Sequence, residues 1–197
     1  MAQVLALDVA ILPPTAVADR AIRLSAALPP AESHGLLLDG DRLPHITLTQ
    51  QFVAVEELHA IYYRLDAVLH AHPPLSLTVT GGGRGGSSVW MQIDRTDALL
   101  QLHERLMETL RGFERPGATA SAFVDGDARV GDVMWVTGYR LKSALHAYNP
   151  HITLGHAKLP PQVEPIAFEA TTVAACHLGR FCSCRRVLQS WTLGRAG

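Results

Sequence analysis

The sequence predicts an α+β fold in which two antiparallel sheets flank a central groove and helices pack outside them. Three observations predict it. Strand-like and helix-like segments follow one another as strand, helix, strand, helix, hairpin, helix, strand and closing strands, an order that suits α+β layers and not a doubly wound parallel sheet. The tetrapeptide His-Ile-Thr-Leu occurs twice, at His45–Leu48 and His151–Leu154, each copy directly after a proline as at the start of a strand. The chain has 197 residues, of which 48% are hydrophobic and 18% charged, the balance of an ordinary globular protein with enough length for a sizeable core.

Val4–Leu12 is apolar and reads as a buried strand. Pro13-Pro14-Thr15 opens a helix that runs to about Leu28, because proline is tolerated in a first turn and helix formers follow. Pro29–Arg42 is a loop, and Pro44–Val53 is the strand of the first motif. Glu56–Ala71 places Leu58, Ile61, Leu65, Val68 and Leu69 at helical spacing, and Pro73-Pro74 stops it. Leu75–Thr80 and Ser88–Asp94 alternate as strands, and the glycine run Gly81–Gly86 between them is expected to be a flexible hairpin connection with Arg84 at its tip. Thr96 caps a helix through Arg111. Gly112–Asp132 is the longest irregular stretch and is expected to be a mobile loop or lid. Tyr139–His146 reads as a helix with Trp135 packed before it, and Pro150–His156 as the strand of the second motif. Ile166–Leu178 and Arg186–Leu193 read as long antiparallel strands after a Pro160-Pro161 turn.

The repeat carries the chemistry. In a strand, residues i and i+2 share a face. His45 and Thr47 therefore point together, as do His151 and Thr153, while Ile46, Leu48, Ile152 and Leu154 point to the opposite face. Two such strands facing one groove bring together two imidazoles and two hydroxyls, a set that can hold a phosphate and move protons on both sides of it. His156 follows the second motif on the same strand, and its odd offset from His151 predicts that it faces away from the groove. The remaining histidines are expected to be structural.

The paired His-x-Thr-Leu tetrapeptides resemble the signature of the 2H phosphoesterase superfamily, which includes bacterial 2'-5' RNA ligase-like proteins and RNA 2',3'-cyclic phosphodiesterases. The resemblance extends over nearly the whole chain and includes Phe52 downstream of the first motif; the second motif departs at Gly155-His156-Ala157. It implies one bilobal domain over residues 1–197. It also implies metal-independent hydrolysis of nucleoside or RNA-terminal 2',3'-cyclic phosphates, or reversible 2'-5' ligation, by two-histidine acid–base catalysis. His45 would then be general acid and His151 general base, roles that two near-identical motifs cannot by themselves assign. Histidine suits both because its ordinary pKa of about 6.5 leaves both forms accessible near neutrality. Thr47 and Thr153 would donate to the phosphoryl oxygens as charge builds there. The alternative is a module that holds a nucleotide such as AMP in the same cleft without turnover.

Stacking of a base requires an aromatic surface. Phe52, Trp135, Tyr148 and Phe181 are the candidates, and Arg84, Arg180 and the neighbouring Arg185-Arg186 are candidate phosphate contacts. A net charge of −1 argues against a duplex-binding surface and for a small nucleotide or an RNA 3'-end. Cys176, Cys182 and Cys184 are odd in number and lack zinc-pair spacing, so reduced structural thiols, no metal and no cofactor are expected. The N-terminus lacks a basic region and Asp8 interrupts its apolar run, which argues against a signal peptide. No membrane span is expected, and the reading is of a cytoplasmic monomer.

Overall fold

The computed structural model describes residues 3–194. Its strands are β1 (Val4–Leu12), β2 (Ile46–Ala54), β3 (Leu75–Gly85), β4 (Ser88–Ile93), β5 (His151–His156), β6 (Ile166–Ala170), β7 (Thr172–Gly179) and β8 (Ser183–Thr192). Its helices are α1 (Thr15–Ala26), α2 (Leu58–His70), α3 (Asp97–Thr109) and α4 (Val130–Lys142). The strands form two antiparallel four-stranded sheets, in the orders β2-β1-β7-β8 and β5-β4-β3-β6. Each motif strand, β2 or β5, is thus the edge of its own sheet.

Alternation decides which face of each sheet is covered. Leu5, Leu7, Val9 and Ile11 of β1 join Leu75, Leu77 and Val79 of β3, Met91 and Ile93 of β4, and Ile152 and Leu154 of β5 in one continuous core. The apolar faces of α1, α2 and α3 close that core. The helices bridge the lobes: α1 follows a strand of the first sheet yet packs on β5, and α3 follows a strand of the second yet packs on β2. The opposite sheet faces border the groove.

Four segments differ from the sequence expectation. The glycine run is not a flexible connection: β3 continues through it, with Gly82 paired to Met91 and Gly85 to Ser88. Pairing with β4 satisfies the backbone, and the absent side chains admit close neighbours. A Cβ on Gly82 would lie 1.9 Å from the Pro161 carbonyl oxygen. Gly112–Asp132 is packed over much of its length. It folds into short 3-10 turns whose Ala122 and Phe123 are buried against Ala6, Phe52 and Ala174 on the outer part of the first sheet. The helix expected at Tyr139–His146 instead begins at Val130 and ends at Lys142, so Trp135 lies within it. Asp132 accepts from the Arg129 backbone N–H at 2.9 Å and nucleates that earlier start. The strand expected over Ile166–Leu178 breaks at Thr171, because its first part pairs with β3 and its second with β1, in different sheets.

One buried side chain ties the lobes. His103 of α3 donates from Nδ1 to the Leu48 carbonyl at 2.6 Å and accepts at Nε2 from the Leu145 N–H at 2.8 Å. Its ring stacks on Tyr148 at 3.9 Å between centroids, and the Tyr148 hydroxyl donates to the Thr47 carbonyl at 2.9 Å. Burial lowers the His103 pKa and keeps the ring neutral, as one donor and one acceptor require. His103→Ala leaves the Leu48 carbonyl and the Leu145 N–H without partners, at about 1–3 kcal/mol each. Chemical denaturation should show a loss on the order of 2–6 kcal/mol. Because the native ring binds its proton less readily than the unfolded one, this contribution is complete above about pH 6.5 and shrinks as pH falls below it. The gap in stability between wild type and His103→Ala should therefore narrow between pH 7 and pH 5.

Candidate active site

Each histidine is fixed by the chain just before it. The His45 Nδ1 bonds the Leu43 carbonyl at 2.8 Å, and the His151 Nδ1 bonds the Asn149 carbonyl at 2.7 Å. In both cases the carbonyl belongs to the residue ahead of the proline, Pro44 or Pro150. A carbonyl only accepts, so each Nδ1 carries the proton and each neutral ring keeps Nε2 as its free acceptor. Both histidines, with Thr47 and Thr153, line one cavity of about 670 Å³ between the lobes.

A β-bulge follows each threonine. In β2, Val9 pairs with Thr49 and Ala10 with Thr47, so Leu48 is the extra residue; in β5, Val89 pairs with Gly155 and Trp90 with Thr153, so Leu154 is. Each displaced carbonyl finds a side-chain donor on a helix: Leu48 takes His103, and Leu154 takes the Ser25 hydroxyl at 2.6 Å. The bulge reverses strand parity, so the residue three beyond each threonine returns to the groove. That residue is Gln50 in the first motif and His156 in the second. The expectation that His156 faces away is thus corrected: simple alternation fails at Leu154. Gly155 takes φ +151°, which disfavours any side chain.

Asp8 is one of the residues the sequence reading missed. It is fully buried beneath the first motif. Its Oδ2 accepts from the Thr47 hydroxyl at 2.8 Å and the Gln50 amide at 2.7 Å, and lies 3.7 Å from His45 Nε2. Burial raises the Asp8 pKa, opposed by the His45 charge and the two hydrogen bonds. The one available signal was a carboxylate interrupting an apolar strand. Burial lowers the His151 pKa, the Asn149 carbonyl opposes this, and the charge of His45 adds to it. Asp8, His45 and Cys184 place potential ligand atoms within 4.8 Å of one another. Burial pushes the Cys184 thiol well above its ordinary range.

The other candidates are divided. Trp135 lines the cavity and donates from Nε1 to Gln50 Oε1 at 3.0 Å. Phe181 also lines it, held at φ 64° with the Arg129 guanidinium 4.0 Å from its ring centroid. Arg129, unforeseen from sequence, is anchored by Asp132 at 2.6 Å. Tyr148 reaches the cavity wall but is buried against His103. Three candidates lie elsewhere. Phe52 is buried edge-on against Phe123, because the turns over the outer sheet cover it. Arg84 folds back on the Gly86 carbonyl at 2.9 Å, at a separate surface hollow. Arg180 pairs with Asp127 at 3.1 Å, and the neighbouring Arg186 with Asp125 at 3.0 Å. Cys176, Cys182 and Cys184 are free thiols.

A two-lobed α+β fold with a histidine–threonine pair on the groove-lining edge strand of each sheet defines a phosphoesterase-type protein of the two-histidine class. The sequence profile of the 2'-5' RNA ligase superfamily matches residues 13–186, and the chain belongs to that superfamily. No curated protein shows significant sequence similarity to it. Among solved structures, E. coli LigT complexed with NADP+ is 20% identical, with 98% of this chain and 99% of that one covered and a TM-score of 0.64. A protein of Thermus thermophilus is 15% identical over 98% of this chain and 100% of its own, with a TM-score of 0.58. LigT has also been solved with 3'-AMP and with ATP. At these identities the likeness establishes the shared fold.

Gly155→Ala forces a side chain into φ +151° with its Cβ 2.7 Å from Leu28 Cδ1. Such strain costs on the order of 1–3 kcal/mol. Thermal unfolding should show that loss, whereas Gly112→Ala, with open space around it, should leave the melting temperature nearly unchanged.

Proposed function

We propose that the chain is a metal-independent phosphodiesterase that opens nucleoside or RNA-terminal 2',3'-cyclic phosphates, with reversible 2'-5' ligation as the same ring opening by a ribose 5'-hydroxyl in place of water. The observation that carries this reading is the matched pair of imidazoles in one cavity, both tethered through Nδ1 and both left with Nε2 free. The nucleotides bound by LigT support a nucleotide in the groove here.

The two motifs differ in their surroundings, and this supports a division of labour. Burial holds His151 towards the neutral form, the state a general base needs. His45 has the Asp8 carboxylate as its neighbour, a charge pair whenever that imidazole is protonated, the state a general acid needs. His151 removes a proton from water as its oxygen bonds to phosphorus. The bond from phosphorus to one ribose oxygen breaks, and His45 delivers its proton to that oxygen. The product is a nucleoside monophosphate, and proton exchange with solvent resets both rings. Thr153 donates to the phosphoryl oxygens. The Thr47 hydroxyl donates to Asp8 Oδ2 at 2.8 Å and reaches the phosphoryl oxygens only by turning away from that carboxylate.

The decisive experiment is turnover of the four nucleoside 2',3'-cyclic phosphates in EDTA. Activity should survive chelation, and dependence on added zinc or manganese would overturn the acid–base mechanism. Nucleotide binding without turnover would identify a binding module instead. His45→Ala and His151→Ala should each lose about 10²–10⁴-fold in kcat/KM, with far from additive losses in the double variant. The pH–rate profile should be bell-shaped, and its acidic limb should fall below pH 6.5, because activity is lost there as His151 takes up a proton.

A further inference from the structure

The glycine run has a second role. Gly83 and Gly85 lie two apart on the same face of β3, and Trp90 on the paired strand lies flat across both. A Cβ on Gly83 would sit 2.1 Å from the indole Nε1, and one on Gly85 would sit 2.9 Å from its Cη2. Any side chain at either position would lift the ring. Its polar edge is also engaged: Nε1 donates to Gln92 Oε1 at 2.8 Å, and the Gln92 amide donates to Asn149 Oδ1 at 2.8 Å and to the Pro150 carbonyl at 2.9 Å. The ring centroid is 4.9 Å from that of His151, with a 36° tilt. Trp90 and Gly85 both line the cavity. The indole is therefore fixed on one face by glycine backbone, at its edge by Gln92 and at its flank by His151, and it presents its remaining surface to the groove.

We infer that Trp90 is the stacking platform for the nucleobase of the substrate, and that Gly83 and Gly85 are its seat. The inference rests on the reading of the groove as a cyclic-nucleotide site. A rigid π surface beside His151 suits a flat heterocycle attached to the ribose whose phosphate lies between the two histidines. Because the indole N–H is already bonded to Gln92, the platform offers a face and not a hydrogen-bonding edge. It should therefore favour bases by stacking area, purines above pyrimidines, with little discrimination between adenine and guanine.

The test compares adenosine 2',3'-cyclic phosphate with the 2',3'-cyclic phosphate of methyl riboside, which has the same reacting group and no base. Trp90→Ala should raise KM for the adenosine substrate roughly 5- to 150-fold and raise it far less for the base-free substrate. Trp90→Phe should recover part of the loss. Gly83→Ala, which displaces the ring without deleting it, should reproduce the KM defect, with circular dichroism and the melting temperature reporting the fold. Equal losses on both substrates, or a fall in kcat alone, would show that Trp90 only supports His151 and would overturn the platform. If wild type turns over neither substrate, the cyclic-phosphodiesterase reading fails by itself. The platform is then tested by calorimetric binding of adenosine 2'-monophosphate: a weaker affinity in Trp90→Ala sustains it, and an unchanged affinity overturns it.

Discussion

The groove depends on one interaction set, the buried His103–Tyr148 pair that joins the two motif strands. His103 binds the carbonyl that β2 displaces at Leu48 and the backbone N–H of Leu145, while Tyr148 reaches the Thr47 carbonyl. The approach to the second motif is thereby held against the backbone of the first. The two motif strands belong to different sheets and share no ladder. Their spacing must come from side chains and packing, and a neutral imidazole with one donor and one acceptor supplies the polar part of that link.

The bulges are the second constraint. A regular edge strand presents only every other residue to the groove. One extra residue in each motif strand adds a third groove-facing side chain, Gln50 or His156, to a histidine and a threonine. Such a bulge persists only if the displaced carbonyl is satisfied, and each lobe recruits a different helix residue to do so. The architecture is pseudosymmetric while the resulting chemistry is not. Gln50 joins Asp8 and Trp135 on one side, and His156 lies near Phe181 on the other.

That asymmetry separates two identical tetrapeptides. The buried carboxylate belongs to β1, which pairs with β2 and not with β5. The glycine seat belongs to β3, two strands away from β5 in its own sheet. Each motif thus acquires its character from the inner strands of its own sheet. His45 and Thr47 gain a buried carboxyl partner, and His151 gains an aromatic flank.

The sequence by itself determined the layered α+β class, most of the elements and the four groups of the two motifs. It did so because apolar periodicity, proline stops and i, i+2 geometry are local properties of the chain. Val4–Leu12 and the Thr96 cap were legible for that reason. Asp8 looked like a flaw in an apolar strand, and the glycine run like a slack turn. The offset of His156 pointed to the wrong face, and Arg84 and Phe52 looked available to a ligand. These were settled by partners distant in the sequence: β2 beside Asp8, an indole on Gly83 and Gly85, a helix hydroxyl on Leu154, and Phe123 over Phe52. Where a buried polar group finds its partner, and where a sheet gains an extra residue, follows from which segments meet across the fold, and only the tertiary structure decides that.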